Sequence, residues 1–360
     1  MHMAEVTNIL RVEVASMPRA VKPPSGTKPR TSRAGDDVPS RIPMMTLSRA
    51  SALPILLSCF VTCLFTVACS RPAPPTPMTL RKTFRTQLKD PAALPSSAPV
   101  PPPGVFELVR YPAPLGSNAA YVTPVREGNR RPAMVWLHGG FNWGIGPLAW
   151  LPAARDNDQS ARAFREAGMV LMLPSLRGAN DNPGEHEYFL GEADDVVAAI
   201  DFLAQRPDVD PARIYLGGHS TGGTLALIAA VHAPRLKGAY VFGPTHDVSG
   251  YGRTGTALDR ATGPELWMRN PVSFVDALRV PTQVIEGADH GNTEAFEPLR
   301  KAAKDAPLSF LPVPGATHFS VLAPVTELLA RRLAETPAEV PTVMLTDAET
   351  REAVLAERDR

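Results

Sequence analysis

Residues 215–223 read Tyr-Leu-Gly-Gly-His-Ser-Thr-Gly-Gly, four glycines crowded around a single serine, Ser220. Inside regular structure each glycine costs roughly 0.5–1 kcal/mol relative to alanine, so the crowding needs a reason. Gly218-His219-Ser220-Thr221-Gly222 fits G-x-S-x-G, with the apolar run RIYLG before it and the helix-period run TGGTLALIAAVHA after it. A strand turning sharply into a helix is the context in which this pattern lifts a serine above a sheet edge. Gly218 and Gly222 lack side chains so that strand and helix can pass close at the elbow. The first N–H groups of the helix then face any negative charge developing at the serine.

The pattern extends outward from this turn. VFELVRYPA (105–113) and AAYVTPV (119–125) read as a leading antiparallel pair. PAMVWLHGG, GMVLMLPSL, ARIYLGGHS, GAYVFGP, PTQVIEGAD and LSFLPVPGA follow as nearly continuous apolar runs, the mark of strands covered on both faces. Between them EADDVVAAIDFLAQR, TGGTLALIAAVHA, AFEPLRKAAKDA and VTELLARRLAE carry faces of 3.6-residue period. This alternation predicts an α/β domain over 105–335, a mostly parallel eight-stranded sheet with helices on both faces.

Outside that span the composition shifts. Of 39 prolines, ten fall between Cys69 and Gly104, so 70–104 reads as a Pro-rich linker of polyproline-like character. The three cysteines, Cys59, Cys63 and Cys69, lie within the apolar run 51–69, and none is available to staple the folded domain. Arg49 precedes that run and Val67-Ala68-Cys69 closes it with small residues, the pattern of an export signal over 45–69. Its end resembles a bacterial lipobox, with Thr66 where leucine is usual, which makes Cys69 a candidate lipidation site and implies a membrane-anchored, exported protein. Residues 1–44 fit poorly ahead of a signal and read as a misassigned or disordered extension. Residues 336–360 read as a C-terminal tail ending in a charged helix-like stretch. The net charge of +1 gives no electrostatic ground for nucleic-acid binding.

A serine hydroxyl needs a base to take its proton. The expected base is a histidine in the loop after the last strand, oriented by a carboxylate after the preceding one. Those positions hold His318, in ATHFS, and Asp289, in ADHGN. Glu286, three residues before Asp289 and on the strand itself, is the alternative acid. His290 and His246 also follow strand ends, but not the last. His219 adjoins the serine and is expected to point away from it, and His186 sits in a loop before a helix. An oxyanion would take one donor from the backbone N–H of Thr221. The second would come from His138-Gly139-Gly140-Phe141, through a backbone N–H near Gly140 or Phe141 or through the His138 side chain.

From about His138 to His318 the chain resembles the α/β-hydrolase superfamily, and within it the catalytic domain of the prolyl oligopeptidase family. The resemblance is carried by PSLRGANDNPGEHEYFLGEADDVVAAIDFL, with Arg177-Gly178 and Asp194-Asp195, and by VDPARIYLGGHSTGGTLAL, with Asp210-Pro211 and Arg213-Ile214. It implies an α/β-hydrolase fold, a single catalytic domain, and acyl transfer to water by Ser220, Asp289 and His318, with no metal or organic cofactor. The expected substrates are small esters or short peptides. The family's larger peptidases carry a propeller ahead of the hydrolase domain, and some relatives place a tyrosine where this chain has His138. Residues 247–272 are expected to form a small, partly open lid, and Phe141, Trp143, Trp150 and Trp267 are candidates for an apolar substrate pocket. The competing function is a tethered binding module that keeps the fold without the chemistry.

Overall fold

The computed structural model describes residues 77–91 and 96–360; the expected signal, Cys69 and the extension 1–44 lie outside them. One eight-stranded sheet organises the described residues, its strands in the spatial order 107–113, 116–122, 170–174, 131–137, 209–219, 238–242, 282–287 and 308–313. β1 (Glu107–Ala113) and β2 (Gly116–Val122) form the leading hairpin, and β2 runs antiparallel to β4 (Val170–Pro174). β3 (Arg131–Leu137), β5 (Val209–His219), β6 (Gly238–Phe242), β7 (Thr282–Gly287) and β8 (Leu308–Val313) extend it with parallel pairings, as does the β3–β4 pair. The expected α/β-hydrolase architecture, eight strands and mostly parallel, is thus the observed one.

The central strands are long apolar runs because both their faces are covered. β4 and β6 are buried at every residue, and β7 likewise. On one face α3 (Gly191–Ala204) and α4 (Thr221–His232) pack through Val196, Ile200, Leu225 and Ile228. On the other, α7 (Leu322–Glu335) packs through Val325, Leu329 and Leu333 against Trp136, Tyr215 and Phe242. α4 is buried along nearly its whole length, which is why its sequence is apolar all round rather than striped.

Two flanking segments differ from their sequence expectation. In its described part, the Pro-rich linker is built into the domain. α1 (Pro77–Thr83) is followed by an extended stretch in which Thr86 and Leu88 are buried. Arg81 donates to the Leu190 carbonyl and to Asp194, and Asp90 exchanges two backbone hydrogen bonds with His186. Proline keeps its carbonyl as an acceptor, and that of Pro99 accepts from the Tyr121 hydroxyl at 2.6 Å. The C-terminal tail is equally integrated. The Tyr240 hydroxyl donates to the Val343 carbonyl, Gln283 bonds both ways with Leu345, and Val354 of α8 (Asp347–Arg358) is buried.

Residues 247–272, the expected lid, form short helical turns and α5 (Gly263–Trp267), pinned by the buried side chains of Val248, Leu258 and Met268. Arg269, fully buried, ties this cap to the N-terminal segment. Its guanidinium donates to Glu265 at 2.6 Å, to the Thr86 hydroxyl at 2.7 Å and to the Glu187 carbonyl at 2.8 Å. The Asp90 carboxylate closes the same junction, accepting from the Tyr188 hydroxyl and from the Ala257 N–H.

Removing one member of a buried ion pair strands its partner and typically destabilises by about 3–5 kcal/mol. Arg269→Met should therefore lower the urea unfolding free energy by about 3 kcal/mol, toward the low end because Glu265 retains some water contact. Arg351→Ala, which breaks the exposed Arg351–Asp347 pair, should change it by under about 0.5 kcal/mol.

Candidate functional site

Ser220 follows the last residue of β5 and caps the start of α4 with φ 56° and ψ −119°. An L-residue rarely adopts a positive φ, and such strain costs about 1–3 kcal/mol and persists only where the surroundings enforce it. They do. The Ser220 N–H donates to the Phe242 carbonyl at 2.8 Å, and its own carbonyl accepts from the Thr224 N–H at 2.9 Å. The flanking glycines make the turn sterically possible. A Cβ at Gly218 would meet the Gly222 carbonyl oxygen at 2.5 Å, and one at Gly222 would collide with the Leu137 and His138 carbonyls. The opening pattern of small residues is therefore a three-way backbone crossing of β3, β5 and α4.

His318 lies in the loop after β8, buried to 5% exposure, with its ring 4.4 Å from that of His219. The structure pairs it with Glu286 and not with Asp289. Glu286 Oε2 lies 3.0 Å from His318 Nδ1, and the carboxylate is completely buried, its Oε1 accepting from the Gly287 N–H. Asp289 is exposed in the following turn, where its carboxylate makes one long contact, 3.4 Å, with the Gly315 N–H. This corrects the expected acid. Glu286 sits one residue inside the strand end, and glycines at 243 and 291 clear a slot for its longer side chain. A Cβ at either would collide with a Glu286 carboxylate oxygen, and one at Gly243 with the His318 ring as well. The Asn292 amide further holds Gly243 through its carbonyl. Gly291, two residues beyond Asp289, is the available sequence signal, but its meaning depends on how the turn after β7 folds back onto Glu286.

The remaining ring nitrogen, His318 Nε2, is buried without a hydrogen-bond partner, so it and the Ser220 hydroxyl are not bonded to each other in this structure. Such bonds are often loose until a substrate is bound. His219, fully buried, is held well below the ordinary histidine range by burial and then by the neighbouring His318. It points away from the elbow surface, as expected, with Nε2 donating to the His318 carbonyl at 2.9 Å. His186 packs beside Trp143 and Tyr188, His290 is exposed, and His246 is half-buried with its carbonyl bonded to Val272.

Of the expected oxyanion donors, Thr221 is the first residue of α4, where an N–H has no intrahelical partner. Its hydroxyl donates to the Gly140 carbonyl at 2.6 Å and so ties the loop after β3 to the elbow. The His138 side chain does not serve this function. Its Nδ1 and Nε2 lie 2.7 and 2.8 Å from the Gly139 and Gly144 carbonyls, so whichever nitrogen carries the proton faces a carbonyl of its own loop. The backbone N–H groups of Gly140 and Phe141 remain as the candidates.

The pocket residues separate. Phe141 is half-buried, edge-on to Tyr251 at 5.3 Å, next to the residue that Thr221 holds. Trp143 is only 2% exposed and belongs to the core with Phe189 and Tyr188, and Trp150 packs on Tyr121. Trp267 lines a groove of about 380 Å³ with Leu80 and Phe84, which contains none of Ser220, Glu286 or His318. Trp143 and Trp267 are thus core and groove residues. Arg177 and Asp195, which carry the resemblance, form a buried bidentate pair at 2.8–3.0 Å that staples the loop after β4 to α3.

The acid assignment has a direct check. Glu286→Gln should abolish the low-field proton resonance of a buried imidazole–carboxylate bond and slow covalent labelling of Ser220 by a fluorophosphonate about 10³-fold or more. Asp289→Asn should preserve the resonance and label at near the wild-type rate.

Residues 156–291 match the family model described as the prolyl oligopeptidase family. An uncharacterized protein of Mycobacterium tuberculosis is 34% identical over 104 residues, covering 28% of this chain and 37% of its own. Among solved structures, a puromycin-hydrolyzing peptidase of Mycobacterium tuberculosis superposes with a TM-score of 0.50 at 19% identity, over 64% of this chain and 38% of that one. An acylaminoacyl peptidase superposes with a TM-score of 0.52 at 16% identity, over 69% and 44%. The matches thus span 37%, 38% and 44% of the lengths of these three relatives. In fold the protein is an α/β-hydrolase, and its central region, from before β4 through the elbow to the turn after β7, is similar to the prolyl oligopeptidase family.

Proposed function

We propose that the protein is a serine hydrolase that cleaves small esters or short peptides through Ser220, His318 and Glu286. The observation that carries this reading is the strained Ser220 elbow beside a buried Glu286–His318 pair whose outer nitrogen is uncommitted. His318 Nε2 takes the hydroxyl proton as Ser220 Oγ attacks the acyl carbon. Glu286 holds the ring through Nδ1 and stabilises the imidazolium that forms. The oxyanion is received by the backbone N–H of Thr221 and by one from Gly140 or Phe141, an interaction commonly worth about 3–4 kcal/mol per donor. His318 then passes the proton to the leaving group, and water, activated in the same way, releases the acyl group from the serine.

The same chemistry serves esters and peptides, and the cap region is a few helical turns. Small substrates with an apolar acyl part suit the half-buried Phe141 beside the elbow. The reading of an exported, membrane-anchored enzyme rests on residues 45–69, with Cys69 carrying the lipid.

A fluorophosphonate probe should label the wild-type protein and not folded Ser220→Ala, and p-nitrophenyl butyrate turnover should fall by at least about 10³-fold in that variant. A folded wild type that takes no label supports the binding-module alternative. For the anchor, labelled palmitate should enter the full chain produced in a bacterial host and be lost in Cys69→Ser, with the protein moving from the membrane to the soluble fraction. Membrane release without a change in palmitate would reject lipidation.

A further inference from the structure

The residue before the nucleophile makes contacts that the reaction above does not use. His219 is completely buried, yet both its ring nitrogens are engaged with parts of the chain far away in sequence. Nε2 faces the His318 carbonyl at 2.9 Å; a carbonyl only accepts, so the proton sits on Nε2 and Nδ1 is bare. Nδ1 in turn lies 2.8 Å from the Gln159 amide nitrogen, which donates to it and also to Asn157 Oδ1 at 2.7 Å. The Gln159 amide oxygen, also 3.2 Å from Nδ1, accepts from the Gly139 N–H at 3.2 Å, which fixes which end of the amide is oxygen. Every donor in this chain of bonds meets an acceptor, and no alternative tautomer or amide orientation satisfies all of them.

The geometry points to His219 and Gln159 as a positioning pair that locks the base loop and the oxyanion loop to the nucleophile strand. This rests on the hydrolase reading and deepens it. Ser220 is covalently next to His219, His318 is held through its own backbone, and Gly139 precedes the candidate oxyanion donors of Gly140 and Phe141. One imidazole therefore sets the distances among three groups that arrive on three different loops. Space is equally constrained: a Cβ at Gly139 would stand 3.2 Å from His219 Nδ1 and 3.3 Å from Ser220 Cβ. Because His219 is held neutral by burial, it adds no charge against the imidazolium that forms 4.4 Å away on His318. A hydrophobic ring would fill the same volume but release both loops. A misplacement of about 1 Å in a reacting group is enough to lose about 10²-fold in rate.

The test compares the full chain with His219→Phe, Gln159→Leu and His219→Gln, using p-nitrophenyl butyrate turnover normalised to fluorophosphonate-titrated sites. His219→Phe and Gln159→Leu should lower kcat by about 10–100-fold while KM stays within about threefold. His219→Gln, which restores a donor to the His318 carbonyl, should recover at least half of that loss on a logarithmic scale. A reactive wild type beside folded His219→Phe and Gln159→Leu variants of wild-type kcat overturns the positioning role alone. So does a loss confined to KM, or one that His219→Gln does not repair. An unreactive wild type overturns the hydrolase reading and this inference with it. If His219→Phe does not fold, Gln159→Leu decides, since Gln159 is half-buried and carries the link to the oxyanion loop.

Discussion

The site depends on one backbone crossing. At Gly218 and Gly222 the carbonyls of Leu137 and His138 and the first turn of α4 come so near that no side chain fits between them. That contact forces Ser220 into a positive-φ conformation, and the bonds it donates to Phe242 and accepts from Thr224 keep it there. Strain of this kind persists only where the surrounding structure over-determines it. Here the enforcing structure is the middle of the sheet, where β3, β5 and β6 are parallel and covered on both faces. The apolar strands far from the site thus hold the serine as firmly as its immediate neighbours do.

A second constraint operates at β7. A buried carboxylate requires hydrogen bonds to offset its desolvation, and Glu286 has them from His318 and from the Gly287 N–H. The slot that admits it is made by two absent side chains, at Gly243 on the loop after β6 and at Gly291 in the turn after β7. The carboxylate, the imidazole and the glycines form a single packing unit drawn from three strand ends. The exposed Asp289 cannot replace Glu286 there, since it lies beyond the bend of the chain.

The periphery contributes in a different way. The segment 77–91 and the tail beyond residue 335 cover opposite parts of the domain, and each exchanges side-chain and backbone bonds with it. Arg269 and Asp90 connect the N-terminal segment to the cap and to the 185–190 loop, so cap position and the Arg177–Asp195 staple are mechanically continuous. The cap is therefore an anchored wall and not a loosely hinged flap. Arg177-Gly178 and Asp194-Asp195 look like signature residues in the sequence; in the structure Arg177 and Asp195 act as a loop staple.

Local pattern was sufficient for the architecture. Nearly continuous apolar strand runs, helices of 3.6-residue period and the G-x-S-x-G turn are properties of neighbouring residues, and the parallel strands and the elbow follow from them. His318 was also legible, because its position after the last strand is a matter of chain order. The choice between Glu286 and Asp289, the loss of His138 as an oxyanion donor, the burial of Trp143 and the docking of the Pro-rich segment were not. Each turns on which distant backbone atom or empty glycine position a side chain meets, and that is decided only when strands far apart in sequence are brought side by side. By itself the sequence determined where the elbow serine stands; tertiary packing decided which carboxylate meets His318, because only packing makes a dry slot for one and leaves the other in water.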